Sequence, residues 1–379
     1  MTMKVGLIGC GNISDIYLSN AKLFRDIEFV AVSSRSIDSA KRQGTKYGLP
    51  VLSVEGLIAE RDIDIVLNLT PPSTHAPINL AAIAADKHVY TEKPLATNLF
   101  DGKRLVEAAR AKGVRLGCAP DTVLGGGIQT ARAALDEGQI GRTLIGVATV
   151  FSHGMEEWHP NPGFYFQPGA GPVFDLGPYY ISALVTLLGP ISKVSGVGLK
   201  GFVERTVTAT GSPQYGRVIP VNVLTSVQAH LHFVLGAQVS FLASWDVWRT
   251  TFPPIELHGT EGSMHVPDPD FFGGTISIAR GRSDWLKIDS GGKTFGRKNW
   301  PAEKPALANF RGLGLAEMAR AIFEGRPHRA SAELSLHTLA VISGIVESAE
   351  RGRDVEITEV CQRPDALSEV DAKGLLASP

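Results

Sequence analysis

Short, nearly continuous apolar runs alternate with amphipathic stretches over about the first 120 residues. Lys4–Ile8, Ile27–Ser33, Ile63–Leu69, His88–Thr91 and Arg115–Ala119 read as strands. Ile13–Leu23, Ile37–Tyr47, Pro77–Ala85 and Asn98–Ala111 read as the helices between them. The strands are rich in β-branched residues and show little alternation, as expected where helices cover both faces. This order predicts a parallel, doubly wound sheet with right-handed crossovers.

Beyond that point the pattern changes. Ile128–Glu137 reads as a helix ended by Gly138, and strand-like segments then dominate: Thr143–Phe151, Val194–Thr208, Val221–Phe233, Ala237–Trp245, Ile255–Gly259, Ser263–Val266 and Thr275–Ala279. In Ser226–Val234 the polar Gln228, His230 and His232 alternate with Val227, Ala229, Leu231 and Phe233, the pattern of an antiparallel sheet with one covered face. Helices are expected at Pro178–Leu188, around Phe310–Glu324 and at Leu334–Arg351, and the glycine-rich Gly281–Gly296 reads as a surface loop. The expected fold is α/β. A doubly wound domain spans residues 1–121, and an α+β domain with a large, mostly antiparallel open sheet spans 122–379.

Gly9-Cys10-Gly11-Asn12-Ile13-Ser14 follows the first strand and opens the first helix. Gly9 permits the tight turn, and Gly11 lets backbone approach a pyrophosphate at the helix N-terminus, the arrangement of a Rossmann dinucleotide site. Ser14 stands where a third glycine is usual. At the end of the second strand, Ser33-Ser34-Arg35-Ser36 holds no carboxylate for a ribose 2′-hydroxyl. Ser34 and Arg35 instead suit a 2′-phosphate, which favours NADP over NAD.

Ligands bind at the carboxyl ends of strands in such sheets. Glu92-Lys93-Pro94 follows the fourth strand, and Thr70-Pro71-Pro72-Ser73-Thr74-His75 follows the third. Lys93 is expected in the cleft and Thr70 and Pro71 beside the nicotinamide ribose; His75 either joins them or caps the next helix. Asp121, just past the last parallel strand, is either a cleft residue or a turn former. Asp175 and Tyr179 are four apart at a helix start and share one face; Asp175 is a candidate helix cap as well. The segment His153–Tyr165 carries Glu156, Glu157, Trp158, His159 and Tyr165, a mixture that suits a sugar, with aromatic faces for C–H groups and polar tips for hydroxyls. Its His and Glu residues complete no metal-ligand pattern, so no metal is expected.

Gly9–Ser14, Thr70–His75, Glu92–Pro94 and Gly171–Tyr179 resemble the glucose–fructose oxidoreductase / inositol dehydrogenase / rhizopine-catabolism (Gfo/Idh/MocA) family over essentially the whole chain. That resemblance implies a catalytic group of Lys93, Asp175 and a histidine four residues further on, where this sequence has Tyr179. It also implies dimers or tetramers. The activity expected is hydride transfer between a nicotinamide cofactor and a hydroxyl or carbonyl carbon of a sugar, cyclic polyol or glycoside, with Trp158, His159, Tyr165 and Asp121 as further substrate contacts. Tyr179 or His159 would be the acid/base. A glycosidase that uses transient oxidation, or a regulator that has lost its chemistry, would share these motifs.

Composition narrows the partners. A formal net charge of −1 gives no electrostatic footprint for nucleic acid or an anionic membrane. Three scattered cysteines fit a reducing compartment, and the N-terminus carries no export signal, so the cytoplasm is expected.

Overall fold

Because each of the first apolar runs can bury both faces, they pair in parallel with helices on either side. In the computed structural model, which describes residues 2–299 and 308–377, β1 (Met3–Ile8), β2 (Ile27–Ser33), β3 (Ile65–Asn68), β4 (His88–Thr91) and β5 (Leu116–Cys118) form one sheet. Its order is β2-β1-β3-β4-β5, so the winding reverses between β1 and β3. The crevice at their carboxyl ends is the natural ligand site. Local chemistry sets the helix limits: Ser36 caps Ile37–Tyr47 and Asn98 caps Leu99–Lys112 with side-chain bonds to backbone N–H groups. The helix expected from Ile13 is shorter, Ser14–Asn20, and continues as a 3-10 turn over Ala21–Leu23.

Among the described residues the second sheet has nine strands, in the spatial order Leu286–Asp289, Thr275–Arg280, Gly262–Val266, Ile255–Gly259, Thr143–Phe151, Gln238–Ser244, Ser226–Phe233, Ile191–Leu199 and Val355–Glu356. Neighbours are antiparallel except Thr143–Phe151 with Gln238–Ser244, which run parallel. The expected alternation holds: Val227, Ala229, Leu231 and Phe233 are buried beneath helices, while Gln228 and His230 face outward. Helix Gly177–Leu188 is buried along its whole length. It lies on the sheet's covered face, against helix Ala332–Arg351.

Three expectations need amending. The single strand expected at Val194–Thr208 breaks after Leu199, and Glu204–Thr206 pairs instead with Val218–Pro220 in a separate ribbon. The break has a cause: Gly201 sits where a Cβ would be 2.5 Å from the Asp246 carboxylate, and Arg205 is drawn into a buried ion cluster. The stretch Gly281–Gly296 is not simply a surface loop. It contains the edge strand Leu286–Asp289, and Thr294–Gly296 is buried, with the Thr294 N–H bonded to the Glu369 carboxylate at 3.1 Å. Finally, the chain beyond residue 122 does not stay with the second sheet. Leu313–Glu324 and Glu369–Leu375 share a core with Val5, Leu7 and Leu67 of the parallel sheet. Among the described residues, no helix is long and apolar enough to cross a membrane.

Candidate active site

The turn after β1 is shaped by two glycines that do different work. Gly9 has φ +109°, and a Cβ there would lie 2.6 Å from the Leu69 carbonyl carbon, because the β1 and β3 ends approach closely. A Cβ on Gly11 would meet nothing within 4 Å, so Gly11 borders open space with the exposed Asn12 and half-buried Ile13. Ser14 replaces the third glycine without strain: it is buried, donates to the Gly11 carbonyl at 2.6 Å and accepts from Gln43 at 3.1 Å. This open cradle fits a dinucleotide phosphate. At the end of β2, Ser34 is half-buried and Arg35 exposed.

At the end of β3 the fully buried Asn68 accepts from the Thr70 N–H at 3.1 Å and the Thr70 hydroxyl at 2.7 Å. It thereby fixes half-buried Thr70 and exposed Pro71 on the crevice rim. His75 is neither a rim residue nor a cap. Its ring is fully buried, with Nδ1 2.8 Å from the Pro94 carbonyl and Nε2 2.7 Å from the Thr70 carbonyl. Both nitrogens face backbone carbonyls, and the neutral ring that burial favours donates to one of them, so His75 sits packed between the two loops that follow β3 and β4.

Glu92 is held from both sides. Tyr17 donates to its Oε1 at 2.8 Å, and the Lys93 N–H donates to its Oε2 at 3.0 Å. Lys93 then reaches across to the second domain, donating to the Asp175 carbonyl at 2.7 Å and to Asp175 Oδ1 at 3.0 Å. Asp175 ends a short helical turn, Pro172–Asp175, and does not cap helix Gly177–Leu188; its carboxylate is given to Lys93. One turn on, the Tyr179 ring lies 5.2 Å from Lys93 Nζ. Burial works to pull the Lys93 pKa down, but Asp175, Tyr179 and Glu92 outweigh it, and the ammonium is held well above its ordinary value. Burial pushes Tyr179 up to about 12, with Arg311 and Lys93 opposing. In this state both groups are proton donors.

The expected sugar loop divides. Tyr165 is half-buried and within electrostatic range of Asp175 and Lys93, and burial raises it to about 12. His159 packs edge-on against Tyr165 at 5.2 Å between ring centroids and accepts the Asn161 N–H, so it adjoins Lys93 only through Tyr165. Trp158 is 62% exposed, its ring edge-on to His159 at 5.4 Å between centroids. Glu156 is buried in an ion pair with Arg205 at 2.7 Å. Asp121 is a correction: it is fully buried, and its Oδ2 accepts from the N–H groups of Gly312 at 2.9 Å and Gly314 at 3.2 Å. Burial pushes its carboxyl up to about 6, with Arg311 opposing. It takes the first donors of helix Leu313–Glu324, which is why that helix starts three residues later than the apolar pattern predicts.

Residues 3–119 match the profile described as "Oxidoreductase family, NAD-binding Rossmann fold", and residues 128–265 match "GFO/IDH/MocA C-terminal domain". The chain belongs to the Gfo/Idh/MocA oxidoreductase family. Among curated relatives of this family member, a 1,5-anhydro-D-fructose reductase from Ensifer adhaerens is 30% identical over 272 residues, 68% of this chain and 74% of the relative. A levoglucosan dehydrogenase from Pseudarthrobacter phenanthrenivorans is 27% identical over 331 residues, 80% and 82% of the two chains. A solved levoglucosan dehydrogenase in complex with NADH and L-sorbose is 25% identical, with a TM-score of 0.79 over 95% of this chain and 100% of its own.

Two residues of this Gfo/Idh/MocA cleft were not foreseen. Arg311 donates to the Tyr179 hydroxyl at 3.3 Å and lies 3.5 Å from the Asp270 carboxylate. Burial raises Asp270 to about 6, with Arg311 opposing, and Asp270 also feels Lys93 and Asp175. Both residues lie in irregular segments, Asp268-Pro-Asp270 and Asn309-Phe-Arg311-Gly312. The one local signal was a charged residue set beside proline or glycine within an apolar neighbourhood.

Proposed function

We propose that this protein transfers hydride between a nicotinamide cofactor and a hydroxyl or carbonyl carbon of a sugar, cyclic polyol or glycoside. The supporting observation is the Lys93–Asp175 pair, which joins the carboxyl end of the parallel sheet to the short turn before the buried helix Gly177–Leu188, with Tyr179 of that helix alongside. When bound, the nicotinamide supplies the hydride acceptor or donor. Gly9, Gly11, Asn12 and Ile13 would hold its pyrophosphate, while Thr70, Pro71 and Glu92 would border its ribose. Lys93 donates a charge-assisted hydrogen bond to the reacting oxygen, Asp175 fixes Lys93, and Tyr179 gives or takes the proton. Tyr165, Trp158, His159 and Asp270 line the substrate side.

NADP is the favoured cofactor. The sequence that ends β2, Ser33-Ser34-Arg35, offers no carboxylate to a 2′-hydroxyl, and the exposed guanidinium of Arg35 would pair with a 2′-phosphate. The neighbouring Arg42, whose guanidinium bonds Ser39 at 3.3 Å, faces the same turn as Cys10 and adds to that field. A second copy of the chain is the proposed occupant of the second sheet's outward face, where Ile145, Val197 and Leu199 are more than half exposed beside the polar row of His230. Light scattering is expected to give a dimer or tetramer; a monomer at working concentration refutes this.

The activity is tested by nicotinamide absorbance against aldoses, inositols, anhydrosugars and glycosides, with NAD(H) and NADP(H) in parallel. Turnover with one class is expected, faster with NADP(H), and Arg35→Ala should cost NADP about tenfold more than NAD. Leaving-group release without net cofactor change would replace this reading with the glycosidase one. Cofactor binding without any turnover would leave the regulatory one.

A further inference from the structure

Tyrosine is a weak base, so a site that relies on Tyr179 must stabilise the phenolate that forms when its proton leaves. Two cations are near enough. Lys93 lies 5.2 Å from the ring centroid, gives two of its three N–H donors to Asp175, and makes no hydrogen bond to the phenol oxygen among the described residues. Arg311 lies 5.8 Å from the same centroid and is the group that donates to the phenol oxygen, at 3.3 Å.

The contacts of Arg311 set it apart from the other buried arginines. Arg329 and Arg205 spend both terminal nitrogens on carboxylates and carbonyls. Arg311 has a hydrogen bond to Tyr179 and an ion pair with Asp270, and its Nη1 has no acceptor among the described residues. In Arg205 the donor without a partner is Nε, behind the two paired terminal nitrogens, whereas in Arg311 it is a terminal nitrogen of the fork itself.

We propose that Arg311 is the positioning residue that lets Tyr179 act as proton donor and acceptor, by hydrogen bonding to the phenol oxygen and stabilising the phenolate. This rests on the oxidoreductase reading above. In the reductive direction, hydride from the nicotinamide adds to the carbonyl carbon and the C=O π pair moves to oxygen. That oxygen takes the Tyr179 proton, and the O–H pair stays on Tyr179 as phenolate, hydrogen bonded to Arg311. The phenolate regains a proton from the Lys93 ammonium or from solvent, and oxidation runs the same steps in reverse. The ionisable groups around Tyr179 are Lys93, Arg311, Asp270 and Glu92; those around Arg311 are Tyr179, Glu92, Tyr17, Asp121 and Asp270.

The test compares Arg311→Met and Arg311→Lys, each in the wild-type and the Tyr179→His background. Imidazole titrates near neutrality and needs no cation beside it to carry a proton. With Tyr179 present, Arg311→Met should lower kcat about 10²-fold with little change in KM, and Arg311→Lys should restore most of that loss. In the Tyr179→His background, Arg311→Met should cost less than about threefold. An equal loss in both backgrounds, or a loss confined to KM, would overturn the proposal.

A second readout needs neither cofactor nor substrate. The Tyr179 ζ-carbon resonance, assigned by its absence in Tyr179→Phe, should start to move toward the phenolate position by about pH 11 in wild type and stay fixed in Arg311→Met. Identical titration in the two proteins refutes the role of Arg311 even in an active enzyme. A shift found in a protein that turns over no carbohydrate would sink the activity reading and leave the Arg311–Tyr179 pair standing.

Discussion

Arg205 and Arg311 are both buried in the second half of the chain, and they are buried differently. Arg205 sits between Glu156 and Asp246, donates to two backbone carbonyls as well, and lies over the Phe202 ring at 4.4 Å. Both of its terminal nitrogens are paired, with only Nε and Glu156 Oε2 left without partners among the described residues, and it joins the segment after Thr143–Phe151 to the Glu204–Thr206 ribbon. Arg311 is under-used: one phenol, one carboxylate at 3.5 Å and one orphan donor. A matched cluster of this kind fixes a shape. A partly matched one, set beside a cleft with Lys93 held as an ammonium, leaves interactions to be made with a ligand.

The two regions should therefore fail in different ways. The largest effect is expected at the catalytic end of the contrast. Lys93→Met should lower turnover by about 10³–10⁴-fold and cost less stability than Arg205→Met, since it leaves one partly exposed carboxylate unpaired where Arg205→Met leaves two. Steady-state kinetics with urea unfolding would check both halves. Arg205→Met should do the opposite, costing about 3–5 kcal/mol by leaving two acidic groups uncompensated in the interior. Its surviving folded fraction should retain most of the per-site turnover. If Arg205→Met instead lost turnover at full stability, the division drawn between the two arginines would be wrong.

A smaller effect concerns Asp121, which burial raises to about 6 from an ordinary 3.8. Between those values the folded state binds more protons than the unfolded chain, so unfolding free energy should fall as pH rises through that window. Asp121→Asn should flatten that slope without abolishing it, because Asp270, raised to about 6 as well, titrates in the same range. Unfolding midpoints at several pH values would show it. An unchanged slope would mean that Asp121 is not the buried acid described.

Much of this was legible in the sequence. Gly9, Gly11, Lys93, Asp175 and Tyr179 could be found because each sits at a fixed offset from a strand end or helix start, where topology decides what faces the crevice. The outward row of Gln228 and His230 was legible for the similar reason that strand periodicity is local. What could not be read depends on packing between distant segments. His75 and Asp121 are at the right topological addresses, yet the His75 ring nitrogens face the Thr70 and Pro94 carbonyls and Asp121 Oδ2 accepts from Gly312 and Gly314. Arg311 and Asp270 were missed for the complementary reason. They enter the cleft from irregular segments more than 90 residues further along the chain than Asp175, and no periodicity marks them.

The central claim is hydride transfer at the Lys93–Asp175 pair, and isotope tracing tests it most directly. The protein would be given nicotinamide cofactor deuterated at the transferable position with the carbonyl form of its best substrate, and the product analysed by mass spectrometry and proton NMR. The account predicts one deuterium, on the new carbinol carbon, and none above background with Lys93→Met. Product formed without deuterium, or deuterium transferred as well by Lys93→Met as by wild type, would contradict it.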